Sequence, residues 1–287
     1  MLEIIIPILI MFSSGYILSV FKKEEIKILA DLIIYVTAPA LFITSITLSK
    51  FEAGEIAIIF FTAATVIISG IALVYLIRKK KKLPLGMYYP IAFMNTGFLG
   101  VPIVLISYGI KGLAYAVIYD ATLALFAFSL GIYIISERRD KWEVFKIPFI
   151  YTAALGILLN IYNIEIPFPV FKGLSMLGSA TIPLALIMLG YRIGNIRISS
   201  LKLPLFGAIL RGGIGFVVAF VIIRIFNISG ILANVLIIMS ILPSAITSIV
   251  FCEKYGCRED CDLVASTIAI SMLASLFYLP IAMYLLK

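Results

Sequence analysis

Ten times between Leu2 and Leu286 the chain turns apolar for about as long as it takes to cross a lipid bilayer. A transmembrane helix needs about 20 mostly apolar residues to span a hydrocarbon core of roughly 30 Å. The runs cover 2–20, 28–48, 56–77, 88–108, 113–135, 147–161, 170–190, 205–226, 231–251 and 263–286. The sixth is short, but the chain stays apolar beyond Ile161 and extends it. Charged residues make up 13% of the chain and hydrophobic ones 63%, whereas soluble domains carry about 25% charge and roughly 45–50% apolar residues. That composition excludes a soluble globular enzyme, a disordered chain and a disulfide scaffold. The first run has little positive charge before it and no small-residue cleavage site after it, so it reads as helix 1 and not as a cleaved signal peptide. The expected fold class is an all-α polytopic membrane protein with ten transmembrane helices.

The net charge of +8 then acquires a direction. Seventeen of the 23 basic residues fall between runs on one face, among them Lys22, Lys23, Lys27, Arg78–Lys82, Arg138, Arg139, Lys141, Arg192 and Lys254. Five fall on the other, Lys50, Lys111, Lys172, Arg224 and Lys287, and Arg211 lies inside helix 8. The positive-inside rule puts the first face in the cytoplasm, with both termini outside a cell membrane. The charge thus reports orientation, and no nucleic-acid partner is expected. The Arg78–Lys82 run reads as an ordinary positive-inside anchor, with docking of anionic membrane lipids as its functional alternative. The chain has no histidine, which removes every His-based triad, metal site and proton relay.

Prolines suggest that the five-helix pattern is written twice. Pro7 and Pro148 stand 141 residues apart, as do Pro102 and Pro243. Pro39 and Pro183 stand 144 apart, each two residues after a threonine, Thr37 and Thr181. Tyr108-Gly109 recurs as Tyr255-Gly256. Five is odd, so the second copy enters the membrane upside down. The expected organisation is a first repeat over 1–136, a charged cytoplasmic linker over 137–146 and a second repeat over 147–287.

Helix 4 contains Asn95-Thr96-Gly97-Phe98-Leu99-Gly100-Val101-Pro102 near its middle. Proline removes a backbone donor and crowds the preceding turn, and glycine permits the unwound geometry that follows. The matching part of helix 9, 239–248, includes Ser240, Pro243, Ser244, Thr247 and Ser248. Interrupted helices at corresponding positions of two halves point to a midplane binding site. The candidate substrate-binding residues are Asn95, Gly97, Gly100, Pro102, Ser240, Pro243, Ser244 and Thr247. A pair of proline kinks packed against hydroxyls is the alternative.

The segment Asn95–Pro102 resembles the helix-4 signature of the auxin efflux carrier family, roughly N-x-G-x-x-G-x-P. Tyr255-Gly256 through Ala265-Ser266, then Ser271 and Leu279-Pro280, is similar to the family's last-helix pattern, and Thr37-Ala38-Pro39-Ala40-Leu41 to part of its helix 2. The short central linker matches prokaryotic members, so regulation through a long phosphorylated loop does not carry over. The resemblance implies the fold shared with bile-acid symporters and sodium/proton antiporters. Scaffold helices 1, 2, 6 and 7, broken near Thr37, Pro39, Thr181 and Pro183, would face transport helices 3–5 and 8–10. Helices 4 and 9 would cross at Pro102 and Pro243 beside Asn95. A homodimer through the scaffold is implied as well.

Two charges lie deep in apolar runs. Asp120 is about eight residues into helix 5, about 12 Å at 1.5 Å per residue. It reads either as a proton-accepting carboxylate or as a structural partner of Arg211 or a tyrosine. Arg211 reads either as counter-charge for an anion or as a side chain snorkelling to headgroups. Asp31, one turn into helix 2, reads as a boundary residue. Cys252, Cys257 and Cys261 lack a fourth ligand and read as thiols, not as a metal clip, so neither metal nor cofactor is expected. No Gly-x4-Gly-Lys-Ser/Thr motif is present, which argues against an ATP-driven pump, and no nucleophile–base constellation suggests an enzyme. The expectation is a secondary transporter with elevator-like alternating access for a small organic anion, to which the positive ends of half-helices are suited. A cation/proton antiporter of the same fold is the alternative, ahead of a channel or a membrane sensor.

Overall fold

The computed structural model describes residues 2–21, 27–48, 52–80, 83–135, 148–196, 198, 200–255 and 260–286. The linker 137–146, Lys81, Lys82 and Cys257 lie outside the described residues. Helices make up the fold, and the one β-bridge among the described residues is isolated. In chain order these are α1 (Leu2–Phe21), α2 (Lys27–Leu32), α3 (Ala38–Leu48), α4 (Ala53–Lys80), α5 (Tyr88–Ala92), α6 (Val101–Phe126), α7 (Ile132–Ile135), α8 (Pro148–Ile161), α9 (Phe168–Ser179), α10 (Thr181–Gly194), α11 (Lys202–Ile225), α12 (Gly230–Ile241), α13 (Thr247–Tyr255) and α14 (Cys261–Leu285). Five segments are long and apolar enough to cross a membrane by length and composition: Gly54–Lys80, Thr96–Gly131, Phe168–Gly194, Lys202–Ile225 and Cys261–Leu285. Shorter apolar helices cover Ile6–Phe21, Ile33–Leu48, Tyr151–Ile161 and Gly230–Ile241. The chain is a multi-pass membrane protein.

The residues group into two compact units. The first holds Met1–Ile59, Gly97–Ala121 and Phe145–Asn195. In it α1 packs along α10, and α3 packs on α8 and α9. The α1–α10 pair is close enough that a Cβ at Gly15 would collide with the carbonyl of Ile187, and one at Gly190 with the carbonyl of Phe12. Small residues are what allow helix backbones to approach this closely in a bilayer. Within α6 the chain bends at Gly109, whose φ of 65° and ψ of −158° suit glycine alone.

The second unit holds Phe60–Thr96, Thr122–Val144 and Ile196–Lys287. Here α11 packs on α5, α12 and α14. The last of these buries the hydroxyls of Ser266, Thr267, Ser271 and Ser275 among apolar side chains, while Leu273, Leu276, Phe277 and Ile281 are exposed. In water those exposed side chains would be destabilising. In lipid they meet the solvent that suits them, and the buried hydroxyls find partners only within the protein.

The chain does not break at Pro39. A π-turn over Ile33–Thr37 precedes it, in which the Ala38 N–H donates to the Ile33 carbonyl. The widened turn absorbs the missing donor of Pro39, and α3 continues. At Thr181 and Pro183 there is a seam and not an interruption: Ala180 stays helical (φ −72°, ψ −19°) between α9 and α10, and Leu184 N donates to Ala180 O at 3.2 Å. Pro183 is then the third residue of α10, where an N–H has no intrahelical partner in any case.

Candidate functional site

Within the second unit, two helices stop facing one another. Helix α5 ends at Ala92, and Phe93 turns extended (φ −110°, ψ 130°). Helix α12 ends at Ile241, and Leu242 turns extended (φ −51°, ψ 150°), fixed by the proline that follows it. The freed strands pair. Asn95 N donates to Pro243 O at 2.9 Å and Ala245 N to Phe93 O at 3.0 Å, around an antiparallel bridge between Met94 and Ser244. Asn95, Thr96, Ser240, Ser244 and Ser248 are all buried.

Each interruption leaves carbonyls that helix geometry no longer satisfies, and side chains from elsewhere in the unit take them up. Arg211 Nη1 donates to Ile91 O at 3.0 Å and to Ala92 O at 3.1 Å, and Nη2 donates to Ser240 O at 2.8 Å. Ser244 Oγ donates to Pro90 O at 2.6 Å, and Tyr278 OH donates to Ile241 O at 2.8 Å. Ser271 Oγ accepts from Ser244 N at 3.1 Å. One guanidinium therefore closes the C-terminal ends of two half-helices. Each such end carries partial negative charge on its unsatisfied carbonyls, which the guanidinium offsets.

Arg211 does not snorkel: it is 0% exposed, and the carbonyls it meets lie in the unit's interior. The helix-4 interruption also sits earlier than its glycines and proline suggested. Residues 93–95 are the extended ones, Thr96–Gly100 form a π-turn, and Pro102 is the second residue of α6. Proline there starts a helix. Asn95, Ser240, Pro243 and Ser244 come together in the second unit, and Thr247 opens α13 beside them. Gly97, Gly100, Pro102 and Asp120 belong to the first unit, as do Thr37, Pro39, Thr181 and Pro183. Tyr278 and the Pro90 carbonyl were not singled out from the sequence. The available signal was a tyrosine within the apolar run 263–286.

Some buried polar atoms keep unused capacity. Asn95 Nδ2 and Ser248 Oγ have no hydrogen-bond partner, nor have Thr37 Oγ1 and Thr181 Oγ1 in the first unit. Such atoms are costly unless water or a ligand reaches them. In the first unit, a Cβ on Gly97 would stand 3.3 and 3.4 Å from the carboxylate oxygens of Asp120. The acid thus lies against the opening turn of the helix that follows the interruption, the end favourable to negative charge. Tyr115, on the same helix as Asp120, donates its OH to Glu55 Oε1 at 2.5 Å. Among the described residues no three acids or thiols gather as a metal ion would require.

A family model described as membrane transport protein matches the chain twice, over residues 1–147 and 139–283. An uncharacterized transporter of Methanocaldococcus jannaschii is 32% identical, the match covering 96% of this chain and 95% of that protein. One of Methanothermobacter thermautotrophicus is 28% identical, covering 97% of this chain and 96% of its own length. With paired helix interruptions inside a multi-pass fold and a family match from one end to the other, the chain belongs to the membrane transport protein family of auxin efflux carrier type.

Proposed function

We infer that the protein is a secondary active transporter for a small organic anion, working in the cell membrane by elevator-like alternating access. Its ten crossings form two inverted five-helix repeats with both termini outside, and the substrate binds where helices 4 and 9 are interrupted. The observation that carries this reading is the backbone pairing of 93–95 with 243–245 beside the unpartnered side-chain nitrogen Nδ2 of Asn95. Interrupted helices at membrane depth occur where a cavity is lined. Asn95 Nδ2 and Ser248 Oγ supply donors for an anion there. The two half-helix C-termini, where a cation would otherwise be held, are taken by Arg211. What stays available in the second unit is the partial positive charge at the start of α13, which follows the interruption at Leu242, and this favours the anion over the cation of the antiporter alternative.

Asn95→Ala tests the site. A donor to a charged ligand is worth about 1.5–3 kcal/mol, so the concentration of organic acid that half-stabilises the purified protein against heat is expected to rise at least about tenfold. Equal ligand stabilisation and equal uptake into proteoliposomes would show that the crossover does not bind substrate. Proton coupling, with no histidine present, runs through Asp120 in this reading. Asp120→Asn is therefore expected to abolish the response of uptake to an imposed pH gradient while uptake driven by substrate alone persists. An unchanged response refutes that role.

A further inference from the structure

A groove of about 630 Å³ runs along the outside of the second unit, with Ile68, Ile71 and Ala72 as its wall and Tyr75, Tyr88 and Tyr133 beyond them. It continues into a second depression of about 350 Å³, where Arg78, Lys79 and Leu85 join Tyr75 and Tyr88. The wall residues recur every three or four positions on α4, so they line one face of it. From Ile68 to Lys79 is eleven residues, about 16 Å at 1.5 Å per residue, close to half of a hydrocarbon core of roughly 30 Å. The groove is one leaflet long, apolar at one end and basic at the other.

The basic end is built. The Arg78 guanidinium carbon lies 5.7 Å from the centre of the Tyr88 ring, and Lys79 Nζ lies 4.9 Å from that of Tyr75. Both cations are thus held against aromatic faces. Arg78 Nη1 is buried with no hydrogen-bond partner. A cation serving only as an orientation anchor would turn all its donors to water, and this one does not. Tyrosines at such a level are typical of the membrane interface.

We propose that this groove binds one anionic phospholipid, its phosphate held by Arg78 and Lys79 and its acyl chain lying along Ile68, Ile71 and Ala72. The occupant is a lipid and not a free phosphate because the apolar wall is continuous with the basic end. The site lies within α4, α5 and the helix end at Tyr133 and Ile134, apart from the interrupted helices.

The test is lipid retention. Protein is reconstituted in nanodiscs of equimolar phosphatidylglycerol and phosphatidylcholine, extracted in mild detergent, and its bound lipid identified by native mass spectrometry. The wild-type protein is expected to retain phosphatidylglycerol preferentially, with the preference falling about fivefold per basic residue removed in Arg78→Gln and Lys79→Gln. Lys80→Gln removes the same charge outside the groove and is expected to keep the preference. Equal retention of the two lipids by the wild-type protein overturns the proposal, whatever the variants do. Equal loss in Lys80→Gln overturns it in favour of diffuse attraction, and so does displacement of the lipid by inorganic phosphate.

Discussion

Arg211→Ala is expected to destabilise the protein by about 3–5 kcal/mol, the usual result of removing one partner from a buried charged set, and to abolish transport. Arg211 sits inside α11 at 0% exposure, where a charge costs about 2.5–3.5 kcal/mol even on lenient insertion scales. That cost is offset because the guanidinium meets three carbonyls at 2.8–3.1 Å from the ends of α5 and α12. Without it, two converging helix ends keep their partial negative charge with nothing to balance it, and each unsatisfied carbonyl adds roughly 1–3 kcal/mol. Arg211→Lys is expected to recover only part of the loss: an ammonium is a compact point charge and cannot span both ends as the planar fork does. Thermal unfolding of the purified protein in detergent reads the effect. Free guanidinium ion, at concentrations too low to denature, is expected to raise the melting temperature of Arg211→Ala and not that of Arg211→Met, whose side chain fills the vacated space. An Arg211→Ala protein that melts like the wild type would show that the helix ends need no cation.

The membrane character of the fold was legible because bilayer thickness sets a length that any apolar run can be measured against. The ends of α4, α8 and α14 fall within about three residues of the runs 56–77, 147–161 and 263–286. Interruption of helices 4 and 9 was legible from their prolines, but its exact place was not. Pro102 is equally at home one turn after an interruption, and that is where it stands. Pro39 shows the same ambiguity, since a π-turn took up the strain that could have broken the helix. The role of Arg211 could not be read at all. Its partners lie 120, 119 and 29 residues away, and no local spacing encodes contacts with backbone carbonyls that exist only because two other helices stop. From sequence, depth alone suggested snorkelling; the structure supplied the reason for the charge to stay inside.

The glycines that follow Arg211 separate these two kinds of information. Read as sequence, Gly212, Gly213 and Gly215 are equivalent, three small residues that invite another helix close. In the structure a Cβ at Gly212 or Gly213 would meet nothing within 4 Å. A Cβ at Gly215 would collide with the Ser240 carbonyl oxygen and stand 2.6 Å from Arg211 Nη2. That carbonyl is the one Arg211 closes at the end of α12, so the added methyl must push apart the donor, the acceptor or the helix bearing one of them. Gly212→Ala and Gly213→Ala are expected to be neutral or to stabilise by roughly 0.5–1 kcal/mol, the ordinary gain of replacing glycine within a helix. Gly215→Ala is expected to cost about 1–3 kcal/mol through overpacking and to reduce transport with it. The cost should also shrink when Arg211 is already alanine, because both changes damage the same contact and coupled sites are not additive. The double-mutant cycle is read by thermal unfolding of the four proteins. Additive losses would mean that Gly215 and Arg211 act independently. Equal tolerance of alanine at all three glycines would mean that α11 and α12 do not meet at Ser240.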